Sequence, residues 1–546
     1  MAYRRGEPNE KGWRNLDEVM DPPYLGESFP KESQPLLVLH HLSDLHICDA
    51  QSPTRPEFLD RWADPDSPIR EEVGTIGTYR PHAMLSTHVV EAMVQSLNQV
   101  QVGPLSGHPI DGAIVSGDTT DNAQVNEINW YLALLDGLPL RPDSGSHEKY
   151  EGVVDDGAAH YDVKYWHPHG TPVGHRDDDA RARYGFPLVP GLLDSCRKPF
   201  HATGLNFPWF AIHGNHDALL QGTVTPNEEM RREMAADRRY ESLPSTLTLE
   251  ETLDAFNEIG PADFPTSSDA PYVIVTPDIE RKAIERGQFA AMHLTSPGLP
   301  RGHGFSEKSV RERKMYYSTE IGAVKLLVID SVNQFGGWQG SLDEEQFEWL
   351  EHEIANSDRP VVLASHHPLM LMFNDYRPDT EHSRRVCHEE IRKMLLRYPQ
   401  VILWLAGHEH RHHVEWIGAA TGATGATGED SKEGTDGFWL VETASHIDWP
   451  QQSRTVEVVQ DKRGDIYIGL TVVDHKGARD YRLATTPIEI AGLSRTLSAN
   501  VWQKREELGA KHAFDWAEGL PNAQNVILRI LRTSRKSAST SPSENA

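Results

Sequence analysis

The sequence predicts a layered α/β fold, and two observations carry that prediction. Short apolar runs recur along the chain and alternate with segments of helical periodicity, the pattern of a sheet flanked by helices. Several of these runs end directly in polar blocks. Open α/β sheets place their ligand sites just past the carboxyl ends of strands. The polar blocks are therefore expected to mark one site.

Five predicted strands precede these blocks. They cover residues 36–42, 112–116, 207–213, 360–365 and 401–406. The blocks that follow are Asp44-Leu45-His46, Gly117-Asp118, Gly214-Asn215-His216-Asp217, His366-His367-Pro368 and Gly407-His408-Glu409-His410. Helices are expected between the strands, most clearly over residues 84–100 and 342–354. The second of these begins with Ser341 and Glu344 in a capping-box arrangement.

The remaining segments complete the predicted organisation. Antiparallel strands are expected over residues 437–443, 455–460 and 465–473, with a hairpin turn at 462–464. Helices are expected over 493–508 and 522–531. The predicted divisions are an N-terminal extension (1–35), a main domain (36–475) with long insertions at about 139–205 and 218–314 and a flexible loop at about 418–436, a C-terminal helical extension (476–532) and a disordered Ser-rich tail (533–546).

Composition limits the partners and the compartment. The 546 residues include 53 basic and 81 acidic side chains, a net charge of −28 that repels nucleic acid and anionic lipid. Cys48, Cys196 and Cys387 are spaced for neither a disulfide framework nor a zinc knuckle, which suits a reducing compartment. No export signal is recognisable, and no apolar segment approaches the roughly 20 residues that span a bilayer. A cytoplasmic enzyme without membrane or nucleic-acid partners is expected.

The residue types in the blocks suit metal ions. Asp44 and His46 point to the same side of a strand end, since strand side chains alternate, and His408 with His410 repeats that spacing. Asp118 has two carboxylate oxygens able to bridge two cations. Asn215 and His366 would complete the set of seven. Carboxylate, amide and imidazole donors favour two transition-metal ions, Mn, Fe or Zn.

Each block alone also has a structural interpretation. A single Asp-x-His, Gly-Asp or His-x-His is common, whereas the polar block after Gly214 would be costly in a core unless paired. His367 either lines the site or satisfies a strand-end carbonyl. Cys48 is interpreted as a small buried apolar residue. His293, His303 and His446 are interpreted as surface or turn residues.

Taken in order, the five blocks resemble the signature of the calcineurin-like metallophosphoesterases, D-x-H, G-D, G-N-H-[DE], H and G-H-x-H. The resemblance covers the strand framework from 36 to 475 and implies a four-layer α/β/β/α sandwich, here with two long insertions and C-terminal helices. It implies that one metal is held by Asp44, His46, Asp118 and His410, and the second by Asp118, Asn215, His366 and His408. His216 resembles the catalytic histidine of the family. Asp121 resembles the aspartate that orients this histidine, or else it caps a turn.

The same resemblance suggests a reaction. Two cations would activate a bridging hydroxide for attack on phosphorus, and His216 would protonate the leaving oxygen. The Ser/Thr phosphatase branch has Arg where this chain has Asn122 and Glu where it has Asp217, and an Arg fork suits a monoester dianion. Purple acid phosphatases have Tyr where this chain has Asp121, which argues against that branch. A small soluble phosphodiester is therefore favoured.

The residues around the first metal block also resemble one branch of the family, and alternative functions remain open. The segment from His41 to His46 resembles the cyclic-nucleotide phosphodiesterase-like branch. A phosphomonoesterase or nucleotidase of the same fold is the main alternative. A nuclease is opposed by the negative charge, and an inactive scaffold is opposed because no ligand position is substituted. Tyr165, Trp166, Tyr316 and Trp338 are either aromatic platforms for a nucleobase or ordinary packing residues.

Overall fold

Two large β-sheets form the centre of the computed structural model. It describes residues 2–155, 157–246, 270–418, 436–479, 483–510 and 513–532, together with residues 248, 251, 433, 434 and 481. Within these residues, sheet A has eight strands: Glu433–Gly434, Val526–Ile530, Ile466–Asp474, Gln452–Asp461, Ser33–Leu42, Gly112–Val115 and Trp209–Ala211 in spatial order, with Leu25–Gly26 also paired to Val526–Ile530. Sheet B has six in the described part: Tyr317–Ile321, Val324–Val328, Val361–Ala364, Val401–Ala406, Gly437–Glu442 and His413–Gly418.

Each sheet contains a run of parallel strands. In sheet A, the strand Ser33–Leu42 pairs in parallel with Gly112–Val115, which pairs in parallel with Trp209–Ala211. In sheet B, the four strands from Val324–Val328 to Gly437–Glu442 are parallel. Parallel strands end at the same edge of a sheet, so the loops that follow them come together in space. This edge carries all five polar blocks.

The two sheets pack face to face. Side chains on the inner face of sheet B, such as Leu326 and Leu403, share one buried cluster with Leu37 and Val456 of sheet A. Because strand side chains alternate, the neighbouring residues of sheet B face outward. There they pack on the helices Glu344–Ala355 and His388–Leu395.

Helices cover the opposite side of sheet A. The helix Ser86–Leu97 buries Val90, Met93, Val94 and Leu97 on one stripe, as a period of 3.6 residues requires, and packs beside Pro487–Ser498. The four-layer α/β/β/α sandwich predicted from the sequence is confirmed.

The other elements are shorter or belong to the insertions and ends. The remaining α-helices of the described chain are Arg70–Val73, Val125–Asp136, Asp179–Tyr184, Leu192–Ser195, Glu228–Met234, Arg286–Thr295, Glu307–Glu312 and Phe514–Glu518. Two-stranded ribbons pair Ala2–Pro8 with Arg14–Val19, Pro139–Leu140 with Phe200–His201, Arg238–Tyr240 with Tyr272–Ile274, and Leu342–Asp343 with Arg385–Val386.

Three predictions about local structure are wrong. Residues 522–531 contain the strand Val526–Ile530 of sheet A rather than a helix, because a short β-branched apolar run fits either element and pairing with Ile466–Asp474 decides. The helix expected over 493–508 spans Pro487–Ser498, with the Thr486 side chain as its cap. Asp343, not Ser341, caps the helix Glu344–Ala355.

Other expectations fall partly or wholly outside the described residues. The low-complexity loop predicted at 418–436 lies mostly there, as does the tail predicted at 533–546. The turn at 462–464 joins two long antiparallel strands of sheet A and is confirmed. In the described part of the chain, none of the helices combines the length and apolar character needed to cross a bilayer.

Candidate metal centre

The candidate site lies where the five polar blocks meet at the carboxyl edge of the two sheets. Five of its residues have a positive φ: Asp44 (50°), His46 (43°), Asp118 (48°), His408 (75°) and His410 (55°). This left-handed conformation is uncommon outside glycine and carries strain that tends to collect at functional sites. The sharp turns after the strands aim these side chains at one another.

The first group of side chains is Asp44, His46 and His410. Their possible ligand atoms all lie within 4.8 Å of one another. Nε2 of His410 is 3.4 Å from Oδ1 of Asp44 and 3.2 Å from Nε2 of His46. Asp44 and His46 come from sheet A and His410 from sheet B, so this group joins the two sheets.

Asp118 lies between this group and a second one. Its Oδ2 atom is 3.7 Å from Nε2 of His46 and 3.1 Å from Nε2 of His366. Its Oδ1 atom accepts a hydrogen bond from the main-chain N–H of His216 at 2.8 Å. A carboxylate that reaches both groups has the position that a bridging ligand requires.

The second group comprises His366, His408 and Asn215. Nε2 of His366 lies 3.0 Å from Nδ1 of His408. The Asn215 side chain donates from Nδ2 to the carbonyl of Gly222, while its buried Oδ1 has no hydrogen-bond partner among the described residues. An unpartnered buried oxygen is costly. A cation at this position would satisfy it.

In their neutral forms, three histidines have an inward Nε2 that accepts, because the outer Nδ1–H of each donates a hydrogen bond. Nδ1–H of His46 donates to Asp121, Nδ1–H of His410 to Asp448 and Nδ1–H of His366 to the carbonyl of Ser116. Histidines that bind metals characteristically hold their second ring nitrogen in this way. The facing Nε2 atoms of His46 and His410 then have no proton to share, so a cation between lone pairs fits this contact. The donor set therefore fits metal ions.

The charges at the site also favour a cation. Burial would raise the pKa of Asp118, but His366 and His216 hold it well below its usual range. Burial would lower the pKa of His366, yet the nearby Asp118 carboxylate raises it to about 9. Burial lowers the pKa of His46 and of His216 to about 3, so both are neutral imidazoles here. The carboxylates thus draw positive charge to the centre, and the neutral imidazole of His46 is free to donate an electron pair.

Asp121 contacts the site differently from what the sequence suggested. Its carboxylate accepts from Nδ1 of His46 at 3.2 Å and forms a buried ion pair with Arg55. The hydrogen bond to His216 comes instead to the main-chain carbonyl of Asp121, from Nδ1 at 2.6 Å. The side chain of Asp121 therefore holds a metal-binding candidate, while its backbone holds His216.

Asp448 is a residue that the sequence argument missed. It follows the strand Gly437–Glu442 at the same edge, and its Oδ2 accepts from Nδ1 of His410 at 2.7 Å. Arg80 binds both carboxylate oxygens at 2.9 and 3.0 Å, and Lys504 lies 3.1 Å away. The signal available in the sequence was its place after a predicted strand, but Arg80 and Lys504 had no such signal.

Two motif glycines are explained by close approach. A Cβ on Gly214 would lie 2.2 Å from both N and Oδ1 of Asp118. A Cβ on Gly407 would lie 1.8 Å from Oγ of Ser43 and 2.4 Å from Oδ2 of Asp44. Any side chain at either position would displace a carboxylate of the centre, so these positions require glycine.

Two residues that were used to argue about substrate are engaged elsewhere. The Asp217 carboxylate accepts main-chain N–H groups of Thr119, Thr120 and Gly214, each at 2.9 Å. Asn122 is fully buried, and its Oδ1 accepts from the main chain of Gln221 at 3.0 Å. Asp217 therefore shapes the loop that carries Asn215 and gives no information about substrate.

The other histidines take structural positions. Nε2–H of His367 donates to the carbonyl of Trp338 at 2.9 Å and its Nδ1 pairs with the hydroxyl of Ser331 at 2.8 Å, so both ring nitrogens are engaged. His446 bonds the carbonyl of Ser43. His293 and His303 are fully buried rather than at the surface. Cys48 is buried as expected, and burial raises its pKa to about 12.

Comparison with known proteins supports the superfamily that the motifs indicate. Residues 185–412 match the family model for the calcineurin-like phosphoesterases, which is less than half of the chain. The matched segment contains Asn215, His216, His366, His408 and His410; Asp44, His46 and Asp118 precede it. No curated protein matches the chain. The family implies a dinuclear metal centre and the hydrolysis of phosphoric esters.

Two solved structures are similar to the chain. A dimetal phosphatase from Danio rerio is 11% identical, with a TM-score of 0.34 over 81% of this chain and 97% of that one. A purple acid phosphatase from seeds of yellow lupin (Lupinus luteus) is 12% identical, with a TM-score of 0.30 over 81% of this chain. This chain spans about half the length of the lupin enzyme, 52%.

Proposed function

We propose that this chain is a dinuclear metal-dependent phosphoesterase that hydrolyses a small soluble phosphate ester, with phosphodiesters preferred. The observation that carries the proposal is the position of Asp118, whose Oδ2 lies between Nε2 of His46 and Nε2 of His366. The order of the motifs and the family match to residues 185–412 support it.

The residues would divide into two ligand sets that share Asp118. Asp44, His46, Asp118 and His410 would hold one ion, and Asp118, Asn215, His366 and His408 the other. Two such ions, Mn, Fe or Zn, would polarise the phosphoryl oxygens and lower the pKa of a bridging water. The inward Nε2 atoms and the Asp118 carboxylate would keep the ions in place.

His216 is proposed to exchange a proton with the leaving oxygen. Its Nδ1–H is held by the carbonyl of Asp121, so Nε2 is the nitrogen left for this exchange. Its ring centroid lies 4.5 Å from that of His46, beside the first ligand group. Nε2 of the neutral ring would first take up a proton from solvent, and an acid–base group placed there contributes about 10²–10⁴ in rate. We expect His216→Ala to lose turnover in that range while it keeps its metal content.

The preference for diesters is supported by the engaged state of two guanidinium groups at the site. The guanidinium of Arg80 already forms a bidentate ion pair with Asp448, and that of Arg55 pairs with Asp121 and Glu57. Asn122 occupies the position of a phosphate-binding Arg in the Ser/Thr phosphatase branch. A monoester dianion gains most from a free bidentate fork, whereas a diester monoanion needs it less. The cyclic-nucleotide phosphodiesterase-like branch is proposed because the segment from His41 to His46 resembles it.

The test is hydrolysis by protein reconstituted with Mn, Fe or Zn. We expect about two equivalents of metal and a higher kcat/KM for bis-p-nitrophenyl phosphate than for p-nitrophenyl phosphate, with cyclic nucleotides in the same panel. Asp118→Asn serves as the inactive control, because it weakens both ligand sets. Preference for the monoester would replace the diester proposal by a phosphomonoesterase or nucleotidase. Binding of less than about one equivalent of metal, with no ester hydrolysis, would refute the proposal that the chain is an enzyme.

We also propose a cytoplasmic location and a domain division. The three cysteines are free thiols, which supports a reducing compartment. Residues 36–475 are proposed as the catalytic domain, since they contain every candidate ligand. The described residues of 1–35 and 476–532 contact it: Lys11 donates to the carbonyl of Arg181, and Lys504 pairs with Asp448.

A further inference from the structure

The candidate centre is reached from solvent past three histidines, which cover it in part. His216, His408 and His410 are partly exposed, whereas the side chains of Asp44, His46, Asp118 and His366 are buried. A substrate must approach past the exposed set. The residues that flank this set are therefore the ones able to contact the groups attached to the phosphate.

Trp338 flanks this open side. It is 38% exposed, although tryptophan usually buries its large apolar surface. Its ring is nearly parallel to that of His408, with 15° between the planes and 5.9 Å between the centroids. Phe373 meets it edge-on, at 88° and 6.0 Å. A partly exposed aromatic ring thus stands next to a proposed metal ligand.

The loop that carries Trp338 is held in place by hydrogen bonds on both sides. The main-chain N–H of Gly337 donates to Thr223 at 2.9 Å. Asn374 donates to the carbonyls of Gly336 and Gln339 at 2.9 and 3.2 Å. His367, adjacent to His366, donates to the carbonyl of Trp338 itself. The ring is therefore exposed although its backbone is fixed, which is the arrangement of a surface prepared for a ligand.

Two aromatic neighbours of the centre contact different ligand groups. His216, proposed to act on the leaving oxygen, contacts His46 of the first ligand group. Trp338 contacts His408 of the second group. A diester held between them would place its leaving group near His216 and its retained ester group near Trp338.

We propose that Trp338 is a specificity-determining residue that stacks on a planar aromatic group of the substrate, the ester group retained on phosphorus. This inference rests on the proposed phosphodiesterase function and names its substrate class: phosphodiesters with an aryl or nucleobase-bearing retained group. Stacking of a base on an aromatic side chain is sequence-tolerant and is lost on substitution by alanine. Phe373 supports the ring from its edge.

The kinetic test uses two substrates with the same leaving group. Bis-p-nitrophenyl phosphate and methyl p-nitrophenyl phosphate both release p-nitrophenol, but they retain an aryl and a methyl group respectively. We expect Trp338→Ala to raise KM for the first about tenfold with little change in kcat, and to change KM for the second less than about twofold. Trp338→Phe should recover most of the loss. Equal changes for the two substrates, or no change for either, would overturn the inference.

A binding measurement separates this inference from the proposed function. Calorimetric titration of the metal-loaded protein with diphenyl phosphate and with dimethyl phosphate reports stacking without turnover. We expect Trp338→Ala to weaken the binding of diphenyl phosphate about tenfold and to leave the affinity for dimethyl phosphate unchanged. If no ester is hydrolysed but this difference persists, the function fails and the stacking surface stands; equal binding of the two probes by the wild type refutes the stacking surface. Tyr24→Ala, which alters an aromatic residue of similar exposure (36%) that bonds Thr471 on sheet A, is the control and should behave as wild type.

Discussion

Asp448 gives the sharpest test of the site because it supports a candidate ligand without being one. Its carboxylate fixes Nδ1 of His410 and is itself held by Arg80 and Lys504. Asp448→Ala removes both the acceptor for His410 and the partner of the two cations. Asp448→Asn keeps an oxygen that can accept from His410 but removes the charge. The pair of variants therefore separates positioning from charge.

The size of the effect follows from these contacts. Loss of the group that orients a metal-binding histidine typically costs 10–100-fold in metal affinity, about 1.4–2.7 kcal/mol. Breaking a buried ion pair costs about 3–5 kcal/mol. The Asp448 side chain is 3% exposed, but those of Arg80 and Lys504 are 13% and 22% exposed and regain some hydration. We therefore expect Asp448→Ala to lose about 2 kcal/mol of stability in addition to its loss of metal affinity.

Competition with a chelator measures the metal affinity, and urea unfolding of the metal-free protein measures the stability. We expect Asp448→Ala to bind at least one equivalent of metal 10–100-fold more weakly than the wild type. Asp448→Asn should recover most of the metal affinity. Lys504→Met, which keeps the Arg80 fork on Asp448, should bind metal within about threefold of the wild type. Wild-type metal affinity in a folded Asp448→Ala protein would refute the argument that Asp448 positions His410.

Two further predictions concern Asp121 and His88. Asp121→Asn should weaken metal binding about 10-fold through His46, and it should leave the orientation of His216 intact because the Asp121 carbonyl remains. A fall in kcat with unchanged metal affinity would contradict this. Burial lowers the pKa of His88 to about 3, so the unfolded chain takes up the proton first and stability present above pH 6.5 is lost as the pH falls toward 3. Urea unfolding of His88→Gln should show a pH dependence flatter by up to about 1.4 kcal/mol per pH unit between pH 6 and 4, and an unchanged slope would show that His88 takes no part.

The sequence predicted the elements whose residues carry their own signal. Apolar runs ending in polar blocks located the strands Ser33–Leu42 and Val401–Ala406, since a parallel strand buried on both faces needs a continuous apolar run. The strand Val526–Ile530 was missed because its assignment depends on a pairing partner, Ile466–Asp474, more than fifty residues away in the chain. Local periodicity contains no information about such a partner.

The residues of the candidate site likewise divide into those that the sequence predicts and those that it does not. Residues that would bind metal are recognisable in the sequence because few other roles place Asp, His and Asn together at a strand end. The residues that orient them do not, because Arg55 reaches Asp121 and Arg80 reaches Asp448 only through the tertiary fold. The role of the Asp121 side chain was expected to involve His216 and instead involves His46. Spacing along the chain cannot distinguish two partners that are only 4.5 Å apart by ring centroid.

The groups that support His410 lie outside the segment that the family model matches. The segment matched by the family model, residues 185–412, contains His410 but none of the groups that fix its outer nitrogen. Arg80, Asp448 and Lys504 lie before or after it, and Lys504 belongs to the C-terminal segment outside the proposed catalytic domain. That segment also supplies Val526–Ile530 to sheet A. Because a strand of sheet A and a partner of Asp448 both come from this segment, the C-terminal segment belongs to the same folded unit as the candidate centre rather than being an appendage.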